Sequence, residues 1–181
     1  MKKTDPESIL DNALSLFRAK GYKSMSMADI GKASGLLKGS IYHHFPSKEA
    51  ILISSIDRLS DHFEKAVFSL AHSESMSEKQ RLEAMVSAIE GYFIENKACV
   101  MAHLSMEAMQ DTTQAKSQIQ SFFRRWRRAF ESVLVSRHGA PVARRLAEDA
   151  VSQLEGAILW LNIFGDPAPL RWMCGSIKEL L

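Results

Sequence analysis

GLLKGSIYHHFPSKEAIL, residues 35–52, is the stretch that decides the fold. Gly35 breaks the chain, and Lys38 to about Phe45 reads as a short helix. Pro46 stops that helix, and Ser47-Lys48-Glu49 opens a longer fourth one running through Ile53, Ile56, Leu59, Phe63 and Val67. Upstream, Ser26 caps another short helix, with Asp29 near its free amides, which ends about Ser34. Two short helices separated by a tight glycine turn are the layout of a helix-turn-helix. A first helix precedes them. Thr4 or Asp5 caps it, Pro6 and Glu7 suit its first turn, and Ile9, Leu10, Ala13, Leu14 and Phe17 line one face before Lys20-Gly21 ends it.

Downstream the pattern stays helical. The polar run from His72 to Ser77 marks a junction, and Ser77 with Gln80 makes a capping box for a fifth helix through Met85, Ile89, Tyr92 and Phe93. A break near Asn96 leads to a sixth from Cys99 to Met109. The seventh spans about Thr113 to His138, the eighth about Pro141 to Phe164, and Gly165-Asp166-Pro167 precedes a short ninth. Long alternating β-branched runs are absent, so the expected class is all-α. The expected domains are a three-helix unit at 1–47, joined through the long fourth helix to a larger helical domain at 48–181.

Composition bounds the function. Among 181 residues, 46% hydrophobic and 24% charged, a real core is available without disulfides. The two cysteines, Cys99 and Cys174, do not suggest a secreted framework, so a reducing cytoplasm is expected. MKKTDPESIL has two lysines with no apolar run behind them, unlike a signal peptide, and no segment is apolar enough to span a membrane. Residues 1–60 carry nine Lys/Arg and six Asp/Glu, while the remainder carries fourteen and fifteen. Between 20 and 48 five lysines face one acid, Asp29. Such an excess suits a polyanion and equally suits a solvated basic surface. No nucleophile–base set, metal-spaced cluster or phosphate loop stands out, so neither an enzyme nor a cofactor is expected.

Residues 4 to about 56 resemble the N-terminal domain of the TetR family of bacterial transcription regulators. The likeness rests on Gly21-Tyr22, on Ser-Met-Ala-Asp-Ile at 26–30, and on residues 35–52. It implies a homodimer that binds double-stranded operator DNA and a C-terminal domain that takes a small-molecule effector. In a helix-turn-helix the second helix enters the major groove. Lys38 then reaches a phosphate or guanine edge, Gly39 permits close backbone approach, and Ser40 donates to phosphate or base. Tyr42 suits a phosphate, His43 projects toward the groove, and His44 lies at the edge of the contact. Ser26 and Lys48 are expected to hold phosphates at the starts of the second and fourth helices. Ile41 and Phe45 face the small core. Tyr42 and His44 also suit packing within that domain, and Lys48 also suits a solvated surface. Adjacent histidines point about 100° apart on a helix, which does not make a metal site. Leu37 departs from the family, where Ser or Thr usually caps the recognition helix, and Ala28 stands where some members read bases.

The C-terminal half supplies candidates for a pocket: Met85, Tyr92, Phe93, Cys99, His103, Met106, Phe122, Trp126, Trp160 and Phe164. They equally suit a plain core. Few ionisable groups sit among them, so the expected effector is largely apolar or aromatic. Cys99 near a helix start also allows control by oxidation or electrophiles, a buried inert thiol being the alternative; control by a protein partner is a further one. Arg124-Arg125-Trp126-Arg127-Arg128 reads as a salt-bridged helix surface with Trp126 inside. The eighth and ninth helices carry apolar stripes. The resemblance implies that these meet a second copy through Leu146, Ala150, Leu154, Ala157, Ile158, Leu161, Leu170, Met173 and Ile177.

Overall fold

The computed structural model describes residues 5–108 and 112–181. Thr4 and Met109, named above as a cap and a helix end, lie outside them. The described residues form helices α1 (Pro6–Lys20), α2 (Met27–Ala33), α3 (Lys38–His44), α4 (Lys48–Ala66), α5 (Glu78–Asn96), α6 (Val100–Glu107), α7 (Thr113–His138), α8 (Ala140–Phe164) and α9 (Ala168–Lys178), with no strand among them. A short 3-10 turn, Phe68–His72, stands where the sequence pattern predicts only a polar junction beginning at His72. The helix starts follow local chemistry. Asp5 accepts the Glu7 amide, Ser47 accepts the Ala50 amide at 3.1 Å, and Ser77 and Gln80 complete the expected capping box.

The chain packs as two compact units, and they do not part at residue 47. The first joins residues up to Ser60 with 100–120; the second joins 61–99 with 121–181. Thus α4 and α7 each give one end to each unit. In the first unit Ile9, Ala13, Phe17, Ile30, Ile41, Ile51, Leu52 and Ile56 are fully buried. The Arg58 guanidinium ties α4 to α1, pairing both Asp11 oxygens at 2.7 and 3.0 Å and Glu7 at 3.2 Å. Helix α6 packs on α1, which is why residues 100–107 fold with the N-terminal helices.

The second unit is built on an aromatic core. Phe63 lies within 4.8–6.1 Å, ring to ring, of Phe68, Tyr92, Phe93, Phe122 and Trp126. Of the arginine run, Arg125 pairs with Glu64 and Arg127 with Glu131, while Trp126 is buried as its helical position predicts. The stripe assigned to a second copy needs correcting. Ala150, Leu154, Ala157, Ile158, Leu161, Leu170 and Ile177 are buried in this chain's own core, where α8 and α5 pack on α9; only Leu146 and Met173 are partly open. The exposed large apolar side chains lie elsewhere on α8 and α9: Val142 near the start of α8, then Leu159, Trp160, Ile163, Phe164 and Trp172. Helix α8 is apolar around much of its circumference, so periodicity alone does not say which side the chain keeps for itself.

Candidate nucleic-acid interface

The two short helices are set by glycine and by capping. A methyl on Gly31 would lie 2.9 Å from the Leu36 carbonyl oxygen, inside contact distance, and the Leu36 amide donates to the Gly31 carbonyl at 2.8 Å. Gly35 takes a positive φ of 67°, the turn that only glycine adopts freely. Together these fold α3 back on α2. Ile41 and Phe45 pack inward as expected, so α3 is held by one side.

The other side faces solvent. Lys38, Gly39, Tyr42, His43 and His44 are exposed, and Ser40 is half-buried. A Cβ on Gly39 would meet nothing, which leaves room for another molecule's backbone or phosphate. Lysine ammonium, hydroxyl, phenol and imidazole on adjacent turns suit phosphate oxygens and base edges. Leu37 occupies the cap position with no side-chain hydrogen bond and is 82% exposed, so the missing cap read from the sequence is a feature of the fold.

Two predicted phosphate contacts are engaged within the chain. The Lys48 ammonium donates to the carbonyls of Tyr22 (3.0 Å) and Met25 (2.9 Å) and sits 4.2 Å over the Tyr22 ring. It therefore fastens the loop between α1 and α2. The Ser26 hydroxyl donates to Asp29 at 2.6 Å and accepts the Asp29 amide at 3.3 Å, closing a capping box. The Ser26 hydroxyl and the Ser26 amide (2.9 Å), both donating to the carboxylate, hold the Asp29 carboxyl below the usual carboxylate range. In the free protein both side chains serve the fold first.

A third group in this network comes from α6. Glu107, the last residue of α6, accepts the Lys23 amide at 3.0 Å, 84 residues away in sequence. No sequence pattern marks it.

The predicted pocket residues divide. Met85, Phe93, Phe122 and Trp126 are fully buried in the second unit, with Tyr92 at the edge of the same aromatic core. Met106, Trp160 and Phe164 are exposed, so within this chain they line no interior. His103 and Met106 belong to the first unit. The Trp126 indole N–H is buried without an acceptor, and one Glu155 carboxyl oxygen is buried without a donor. Burial pushes the Glu155 carboxyl up to about 7 against the opposing hydrogen bond from the Cys99 thiol, and pushes the Cys174 thiol up to about 12. Among the described residues no His/Cys/Asp/Glu group could hold a metal ion, and no helix is long and apolar enough to cross a membrane.

Comparison with known proteins agrees with this geometry. Residues 9–54 match the model for bacterial regulatory proteins of the tetR family, and residues 79–174 match the C-terminal domain of LmrA/YxaF-like transcriptional regulators. Over 97% of the chain and 91% of the relative, the sequence is 23% identical to the HTH-type transcriptional repressor DhaR of Mycobacterium sp. strain GP1. It is 37% identical to the biofilm operon icaADBC negative transcriptional regulator IcaR of Staphylococcus epidermidis, over 32% of the chain and 31% of that protein. The fold superposes on a TetR transcriptional regulator from Legionella pneumophila with a TM-score of 0.87 at 26% identity, all of both chains being covered. It superposes on E. coli NemR in its reduced form with a TM-score of 0.77 at 20% identity, covering 97% and 96%. The helix-turn-helix, the second helical unit and these matches place the chain in the TetR family of bacterial transcription regulators.

Proposed function

We propose that the chain is a cytoplasmic repressor that binds operator DNA as a homodimer through α3 and is released when a small, largely apolar or aromatic effector occupies the second unit. The carrying observation is the division of α3: Ile41 is buried, while Lys38, Gly39, Tyr42, His43 and His44 stand exposed on consecutive turns. That is the presentation a major-groove helix needs. DhaR and IcaR are described as a repressor and a negative regulator, which supports repression here.

The effector half rests on the second unit's interior. The second unit holds an unpaired indole N–H in its aromatic core and an unpaired buried carboxyl oxygen on α8, polar groups that favour a mostly apolar molecule carrying one acceptor and one donor. Such a ligand must bind the DNA-free arrangement more tightly than the DNA-bound one. Helix α4 is common to both units, so the coupling is placed along it. Sensing by Cys99 is less favoured, because a buried thiol beside a carboxyl group lacks the electropositive setting that makes thiolate.

The test is fluorescence anisotropy of the purified protein on its own upstream DNA with scrambled competitor. Specific binding that vanishes in a Lys38→Ala/Tyr42→Ala variant supports the reading. Equal binding to scrambled DNA on that fragment, and no enriched site in a selection from random DNA, would end it.

A further inference from the structure

The loop Gly21–Met25 joins α1 to α2 and delivers the chain to Ser26, the cap of the first helix of the helix-turn-helix. It is gripped on both sides. From α4, the Lys48 ammonium takes the carbonyls of Tyr22 and Met25. From α6, the Glu107 carboxylate takes the Lys23 amide at 3.0 Å. Gly21 makes room for the second grip: it ends α1 at φ 76°, and a methyl there would overlap both Glu107 carboxylate oxygens. Three of the loop's backbone groups are thus bonded by one cation and one anion from two different helices, and all three bonds are charge-assisted.

Helix α2 begins at the next residues, with Ser26 and Asp29 closing their capping box, and α3 packs on α2. A shift of the loop therefore displaces the N-terminus of α2 and, with it, α3. Glu107 lies well outside the N-terminal family match at residues 9–54, yet it folds in the same compact unit.

We propose that Glu107 is a positioning residue for DNA recognition: the reading head is completed by the end of α6, which fixes the α1–α2 loop through the Lys23 amide. The inference rests on the reading of α3 as the recognition helix. It differs in kind from a phosphate contact, because Glu107 carries the wrong charge to touch DNA and acts only through the loop.

The test uses full-length chain and a duplex enriched from random DNA by the wild-type protein. Glu107→Gln keeps an oxygen that accepts the Lys23 amide; Glu107→Met fills similar space without one. The expected result is binding within about twofold of wild type for Gln and weaker by about tenfold for Met. Backbone hydrogen exchange at Lys23 is expected to be slow in wild type and Gln and at least tenfold faster in Met, with dimerisation unchanged in all three. Equal DNA affinity of the two variants, both folded, overturns the proposal while leaving the DNA reading intact. Failure of the wild-type chain to enrich any sequence overturns the DNA reading and this inference together.

Discussion

Lys48 and Lys38 lie ten residues apart in the same basic stretch, yet the structure gives them different work. Lys38 is exposed, whereas the Lys48 ammonium is bound to two backbone carbonyls. Lys38→Ala is expected to flatten the salt dependence of DNA binding by about 0.9 in log–log slope per copy, one phosphate's worth. Lys48→Ala is expected to leave that slope unchanged and instead to cost about 2 kcal/mol of stability, roughly 4–8 °C in Tm. Salt titrations and thermal melts of the two variants check this. The sequence showed both lysines as candidates but not the difference. Carbonyl acceptors carry no side-chain identity, and those of Tyr22 and Met25 are 26 and 23 residues away. Glu155 offers a second residue-scale prediction. Its folded pKa, about 7, is raised above the ordinary 4.5 by burial, so the folded state holds the proton longer than the unfolded chain does. Stability from this group is complete below about pH 4.5, falls as pH rises through the window up to about 7, and is gone above it. The loss is on the order of 3 kcal/mol. Denaturant melts from pH 4.5 to 8 are expected to show the decline in wild type and a flatter profile in Glu155→Gln.

Helix α3 shows how an element can be legible and still imperfect. Its boundaries were readable because each terminus has a local cause: Gly35 at the turn before it and Pro46 after it. Its weak point was readable too. Leu37 at the cap position makes no side-chain hydrogen bond, and burial offers little compensation. Leu37→Ser is expected to stabilise the protein by about 1 kcal/mol, raising Tm by roughly 2–4 °C in a thermal melt. No gain in Tm would mean that the first turn of α3 is already satisfied in another way. Helices α8 and α9 mark the opposite case. Their existence and ends followed from Pro141, Gly165 and Pro167, but their orientation did not. Ala157, Ile158 and Leu161 turn inward while Leu159, Trp160 and Ile163 turn outward. Both sets are apolar, and only the packing of α8 and α5 on α9 distinguishes them.

At the scale of the molecule, the outward set carries the dimer prediction. The Trp160 and Phe164 rings pack tilted, centroids 4.3 Å apart, and Trp172 on α9 is also exposed; a lone chain gains nothing from large apolar groups in water. A Trp160→Glu/Ile163→Glu variant is expected to sediment as a monomer at concentrations where wild type is a dimer, with its dissociation constant raised at least about 100-fold. Unchanged sedimentation would place the second copy on another surface. The domain plan was only partly visible in the sequence. A cut after residue 47 respects the order of helices, but α6 returns to pack on α1, a long-range contact that no local pattern announces. Dimerisation and DNA reading meet in geometry: two copies of α3 must fall about 34–36 Å apart, one turn of duplex. The most direct measurement is therefore selection of binding sites from random duplexes by the full-length protein, with stoichiometry read by sedimentation. Inverted repeats whose half-sites are centred about one helical turn or a multiple apart, bound by paired copies and lost in Lys38→Ala/Tyr42→Ala, are the predicted result. A folded dimer that enriches no common sequence would contradict the account.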